Sequence, residues 1–122
     1  DRILLLKRSN KVRVYQGKWN SVSGYLDELK PLEEKAKEEI KEELGIEKSN
    51  ISKVRVGKRH IFKDGKINKT WIIYPVLIDL KNKPVINLDW EHTECKWIKP
   101  KELKNCDVIA GLDKVIKSIL NF

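Results

Sequence analysis

A chain of 122 residues, 40% hydrophobic and 36% charged, is sized for one domain that buries its own core without disulfide support. Its formal net charge of +8 at pH 7 favours anionic partners such as nucleotides, phosphorylated metabolites, nucleic acid or a membrane surface. The lysines are scattered with no one-sided basic helix, no apolar run approaches the ~20 residues of a membrane span, and no signal-peptide pattern is present, so charge alone selects no partner.

The chain contains no methionine and opens directly into Ile3–Leu6, which leads us to expect further residues, up to a whole strand, before Asp1. Ile3–Leu6 reads as a strand, and Val12–Tyr15, alternating with period two, as another. Residues 16–30 are loop-like. Pro31 opens a helix that ends at Gly45, with proline at the first helical position, Glu33 and Glu34 in the first turn and glycine past the end. Two strands follow, Val54–Phe62 and Thr70–Leu80, joined by the hairpin signal Asp64-Gly65; Pro75 marks an edge or a bulge. Short strands are predicted at Val85–Leu88 and Lys96–Ile98. A second helix starts behind Asp107 as N-cap and carries Val108, Leu112, Val115, Ile116 and Ile119 along one stripe. Strands dominate, with one central and one terminal helix, which makes an α+β domain. Cys95 and Cys106, without CxxC spacing or a secretory context, read as reduced thiols of a cytoplasmic protein.

The first helix carries an unusual charge pattern. Leu32, Ala36, Ile40 and Leu44 recur every four residues and form the buried stripe. Glu39, Glu42 and Glu43 stand at i, i+3 and i+4 and share an arc beside it. Glu38 faces Glu42 and Glu39 faces Glu43, like charges at i,i+4 that cost ~0.2–0.5 kcal/mol per pair. Lys35 relieves Glu39, but within the helix Glu42 and Glu43 have no cation three or four residues away. A solvated helix face is the plain reading of such a cluster. Grouped carboxylates with room for water also suit Mg²⁺ or Mn²⁺, ions that grip substrate phosphates.

The stretch GYLDELKPLEEKAKEEIKEELGI, residues 24–46, resembles the Nudix box G-x5-E-x7-R-E-U-x-E-E-x-G-U, where U is a bulky aliphatic residue. Gly24, Glu39, Ile40, Glu42, Glu43, Gly45 and Ile46 match in register. Two positions depart, both with reversed charge: Lys30 stands for the box's first glutamate and Glu38 for its arginine. If those two residues brace the loop against the helix in the family, Lys30 and Glu38 form the same bridge with swapped polarity. Further along, KWNSVSGY is similar to the family's W-x-x-P-G-G segment, with Val22-Ser23 in place of Pro-Gly. DWEHTECKWIKPKEL is similar to its later segment, an acidic loop before a Trp-bearing strand.

The resemblance implies a single domain over 1–122 with a Nudix-type α/β/α sandwich and a mixed β-sheet. It implies Mg²⁺-dependent (or Mn²⁺-dependent) hydrolysis of a diphosphate linkage in a nucleoside diphosphate derivative or related phosphorylated metabolite. Glu39 and Glu43 are the first metal ligands, and Glu42 is a third ligand or the base. Glu91 and Glu94, in the later segment, are the alternative bases, with His92 behind them. Arg8, Arg59 and Lys7 are candidates to contact phosphate, and Trp90 to stack on the substrate. Gly24, Lys30, Glu38 and Gly45 serve the box's architecture. The partner implied is a small-molecule diphosphate, with no membrane; a homodimer is in keeping with the family. The competing reading is a Nudix-fold module that binds a nucleotide without turnover. The two part on whether the three glutamates converge on a metal-sized site that Lys30 does not fill. A nucleic-acid-binding domain ranks last, since no motif or concentrated basic face supports it.

Overall fold

The computed structural model describes residues 2–121; what precedes Asp1 lies outside them. Its layering follows from one strand. β1, Ile3–Arg8, opens with the unbroken apolar run Ile3–Leu6, and successive side chains on a strand point to opposite faces. Ile3 and Leu5 pack with Ile98, Leu103, Leu112 and Ile116. Leu4 and Leu6 pack with Ile40, Leu44 and Ile46. Leu5 and Leu6 are both completely buried. Ile40 and Leu44 of the second set come from helix α1, Leu32–Leu44, and Leu112 and Ile116 of the first from helix α2, Leu112–Leu120. The result is the expected α+β sandwich, with β1 as the partition between two small cores.

β1 pairs antiparallel with β7, His92–Ile98, from Ile3↔Ile98 to Arg8↔His92, with a register shift at Lys7/Arg8. It also pairs with the two-residue β2, Trp19–Asn20. All the described strand pairs of this sheet are antiparallel; the parallel contact from Trp19 to Val108 is an isolated bridge outside any strand, so the mixed β-sheet expected from the sequence is not formed by these ladders. Two further antiparallel pairs join β3 (Ile51–Val56) to β6 (Val76–Leu80), and β4 (His60–Asp64) to β5 (Lys69–Ile73).

Several boundaries differ from the sequence expectation. The two long strands Val54–Phe62 and Thr70–Leu80 are each broken in the middle. Pro75 has no N–H to continue a ladder, and its carbonyl instead accepts the Gly57 N–H at 2.8 Å. A Cβ at Gly57 would meet Ile119 at 2.9 Å, so the kink is where this ribbon rests on α2. Val12–Tyr15 is not a strand. Two of its carbonyls are taken by side chains, Arg8 Nε donating to Val14 at 3.1 Å and Gln16 Nε2 to Val12 at 2.8 Å; the Tyr15 carbonyl accepts the Lys18 N–H in a turn at 3.2 Å, and Tyr15 adopts φ 56°. Val85–Leu88 is not a strand and pairs in no ladder; Asn87 N–H caps the C-terminal end of α1 at Leu44 O, 2.9 Å.

The helix starts also move. Pro31 (φ −57°, ψ 143°) precedes α1 as its N-cap instead of forming its first residue, whereas Gly45 closes the helix in the left-handed region at φ 73°. α2 starts behind Gly111, not Asp107. Asp107 is otherwise engaged: its carboxylate takes Lys18 Nζ at 2.9 Å and its carbonyl takes Trp19 N–H at 2.9 Å. That holds Val108 against β2 and outside the helix. No described helix is long and apolar enough to cross a membrane.

Candidate active site

Burying Ile40 and Leu44 rotates α1 so that Glu43 is drawn inward with them. Glu43 is 3% exposed, and neither of its carboxylate oxygens has a hydrogen-bond partner. An ionised carboxylate stripped of water and donors is costly. Its pKa accordingly rises to about 9, mostly through burial and further through the carboxylates of Glu39, Glu91 and Asp89. Glu39, one turn earlier, is an acceptor too and offers Glu43 only a shared proton. The outer side of Glu39 meets Lys35 Nζ at 3.2 Å, and its inner side meets the loop backbone. A Cβ at Gly24 would fall 2.4 Å from the Glu39 carboxyl carbon. Glu42 is exposed at the rim.

The opposite wall comes from the turn into β7. Asp89 Oδ1 lies 2.9 Å from His92 Nδ1 and accepts the Glu91 N–H at 3.2 Å. His92 is buried, with Nε2 3.9 Å from Glu43 Oε1. One ligand atom each from Glu43, Asp89 and His92 lies within 4.8 Å of the others. Burial, with Asp89 beside it, raises the Glu91 carboxyl, and His92 and Arg8 oppose that rise. Arg8 sits opposite His92 where β1 leaves the sheet.

The remaining candidates divide clearly. Lys30 Nζ lies 2.8 Å from Glu38 Oε1 and 3.2 Å from Glu28 Oε2, the contact a polarity-swapped bridge requires, and it does not fill the acidic site. The Glu38 partner raises the Lys30 ammonium, and Lys30 lowers the Glu38 carboxyl. Glu94 stands apart, paired with Lys7 at 3.4 Å on the surface. Arg59 is exposed in the kink between β3 and β4, and Trp90 is 61% exposed. Asp89 was not singled out from the sequence, although its i,i+3 spacing to His92 was there to read. Nor were Tyr15, Tyr25 and Trp71. With Arg8, Glu39 and Glu91 they line part of a large open depression. Tyr15 OH donates to Asp64 at 2.7 Å and accepts from Trp71 Nε1 at 3.2 Å.

A family model described as the NUDIX domain matches residues 1–119, and the chain belongs to that family, whose membership supports a pyrophosphohydrolase. Among its relatives, nucleoside triphosphatase NudI of Klebsiella pneumoniae is 27% identical over 114 residues, covering 88% of this chain and 80% of its own. The Escherichia coli O139:H28 NudI is 22% identical over 120 residues, covering 93% and 84%. Among solved structures, a Caenorhabditis elegans Ap4A hydrolase binary complex superposes with a TM-score of 0.77 at 20% identity, covering 99% of this chain and 85% of that one. A MutT protein from Methanosarcina mazei gives 0.75 at 21% identity, covering 98% and 83%. At these identities the structural likeness speaks for the fold alone.

Proposed function

We propose that this protein is a divalent-metal-dependent hydrolase of a phosphoanhydride bond in a nucleotide, a nucleoside diphosphate derivative or a related phosphorylated metabolite. The observation that carries the reading is Glu43, a carboxylate enclosed with no donor for either oxygen beside the carboxylates of Glu39 and Glu91. Such a group calls for a cation. The donor set is oxygen-rich and fits Mg²⁺ or Mn²⁺, with Glu39, Glu42 and Glu43 as the residues that would hold it. When bound, such an ion neutralises phosphate charge and acidifies a water.

The chain's own groups supply the rest. Lys35 and the Gly24 backbone fix the Glu39 carboxylate from two sides. Arg8 offers a cation to phosphate oxygens at the depression. Glu91, half-buried with a raised pKa, is the general base that takes the proton from attacking water, since a base works best with a pKa moved toward the working pH. The names of the relatives, a nucleoside triphosphatase and an Ap4A hydrolase, support a nucleotide as the substrate. Lys30 is held by Glu38 and Glu28 away from the acids, which favours turnover over mere binding. The free thiols Cys95 and Cys106 are in keeping with a cytoplasmic setting.

The test is release of phosphate or pyrophosphate from a panel of nucleoside diphosphate and triphosphate compounds, with and without Mg²⁺. Cleavage should require the metal and be abolished in Glu43→Gln. Glu91→Gln should lower kcat by about 10²–10⁴-fold with little change in KM. Saturable binding of one compound with no turnover of any would replace the hydrolase with a binding module.

A further inference from the structure

An imidazole nitrogen and a carboxyl group face each other, unbonded, inside the site. The side chains of His92 and Glu43 are 1% and 4% exposed. Asp89 Oδ1, 2.9 Å from His92 Nδ1, accepts the proton on that nitrogen, so in the neutral ring Nε2 presents a lone pair. The lone pair lies 3.9 Å from Glu43 Oε1, and no donor serves either Glu43 oxygen. That gap is too long for a hydrogen bond, so the imidazole nitrogen and the buried carboxyl group stand desolvated and unpaired, which is costly. A transition-metal ion would span it. Bonds of about 2.0–2.1 Å to imidazole nitrogen and about 2.0–2.2 Å to carboxylate oxygen together exceed the 3.9 Å separation. Asp89 then has the place of the carboxylate that grips a metal-ligating imidazole by its other nitrogen.

We infer that His92 is a nitrogen ligand of the metal centre, joined to Glu43 and oriented by Asp89, so that the site prefers Mn²⁺, Co²⁺ or Zn²⁺ to Mg²⁺. The inference deepens the metal-dependent reading above and rests on it for the presence of an ion. Imidazole suits transition metals, whereas Mg²⁺ favours oxygen throughout, so the nitrogen is what shifts the preference. Glu39 and Glu42 remain the oxygen donors.

Pulsed EPR on the Mn²⁺-loaded full chain, without substrate, reads the ligands directly. The expected spectrum shows nitrogen modulation from an imidazole. It persists in His60→Gln, a change at the only other histidine, and disappears in His92→Gln. By calorimetry, Asp89→Ala should weaken Mn²⁺ by about 10–100-fold, and His92→Gln should weaken Mn²⁺ far more than Mg²⁺. A wild-type spectrum with oxygen ligands only overturns the inference, and because it needs no variant, a misfolded mutant does not obscure it. Equal loss of Mg²⁺ and Mn²⁺ affinity in a folded His92→Gln protein overturns it as well. Hydrolysis of the panel with an oxygen-only spectrum removes this inference and leaves the function standing. Nitrogen coupling in a protein that cleaves nothing does the reverse.

Discussion

Glu43 links the site to pH. Its folded pKa of about 9 stands above the ordinary 4.5, so between those values the folded chain keeps a proton that the unfolded chain has released. Stability contributed by that proton is complete below the lower value and is lost as pH rises through the upper one. Glu91 is raised too and acts in the same direction; Glu38, lowered by Lys30, acts only on the acid side. The melting temperature of metal-free protein should therefore fall from about pH 5 to pH 9, less so in Glu43→Gln, and a saturating divalent ion should flatten the curve. At neutral pH, metal binding should release close to one proton, measurable by calorimetry in buffers of different ionisation enthalpy. Gly24 is the second residue on which the site turns. In Gly24→Ala the new methyl would lie 2.4 Å from the Glu39 carboxyl carbon, and the carboxylate must move. Displacing a positioned group by about 1 Å costs on the order of 10²-fold in rate, so kcat/KM should fall by about that factor while the far-ultraviolet circular dichroism stays unchanged.

At the scale of elements, α1 and the loop before it form one device, closed at each end. Gly45 ends the helix at φ 73°, with the Asn87 amide 3.1 Å from where a Cβ would stand. Gly45→Ala forces a side chain into a left-handed conformation worth roughly 1–2 kcal/mol, and denaturant unfolding should register a loss of about that size. The other end is held by Lys30 and Glu38. Either charge reversal alone, Lys30→Glu or Glu38→Arg, should lower both melting temperature and activity, whereas the pair together should restore both. Helix α1 was legible because its signals are local: the four-residue apolar spacing, Pro31 before and Gly45 after, and acids too close together to be indifferent. The bridge was legible from the paired departure at Lys30 and Glu38. Val12–Tyr15 misled because its alternation is real while two of its carbonyls are taken by the Arg8 and Gln16 side chains, partners that periodicity does not reveal. Asp107 looked like a cap until Lys18, 89 residues earlier in the chain, claimed it. The pairing of Asp89 with His92 is local, three residues apart, but the approach of both to Glu43 depends on long-range packing, with β7 set against β1.

For the molecule as a whole, β1 is the wall between two cores, and its adjacent leucines report on different halves. Leu5 faces α2 and the turn at Leu103; Leu6 faces Ile40 and Leu44 on the helix that carries the acids. Each Leu→Ala change should cost about 2–5 kcal/mol. Metal affinity should separate them: Leu6→Ala, by loosening the seat of α1, should weaken Mn²⁺ binding in protein that is still folded, and Leu5→Ala should leave it near wild type. The seven box positions that match and the two that depart together also bear on descent. If the box's glutamate and arginine brace the loop in relatives, a lineage passing from that polarity to this one by single charge reversals crosses a form in which Lys30 meets a second cation, or Glu38 and Glu28 close on a third carboxylate. Such intermediates set like charges against each other where an opposite pair stood. The exchange is therefore expected to be inherited as a pair, and chains carrying the swapped brace should form a branch of their own instead of appearing scattered among sequences with the usual one.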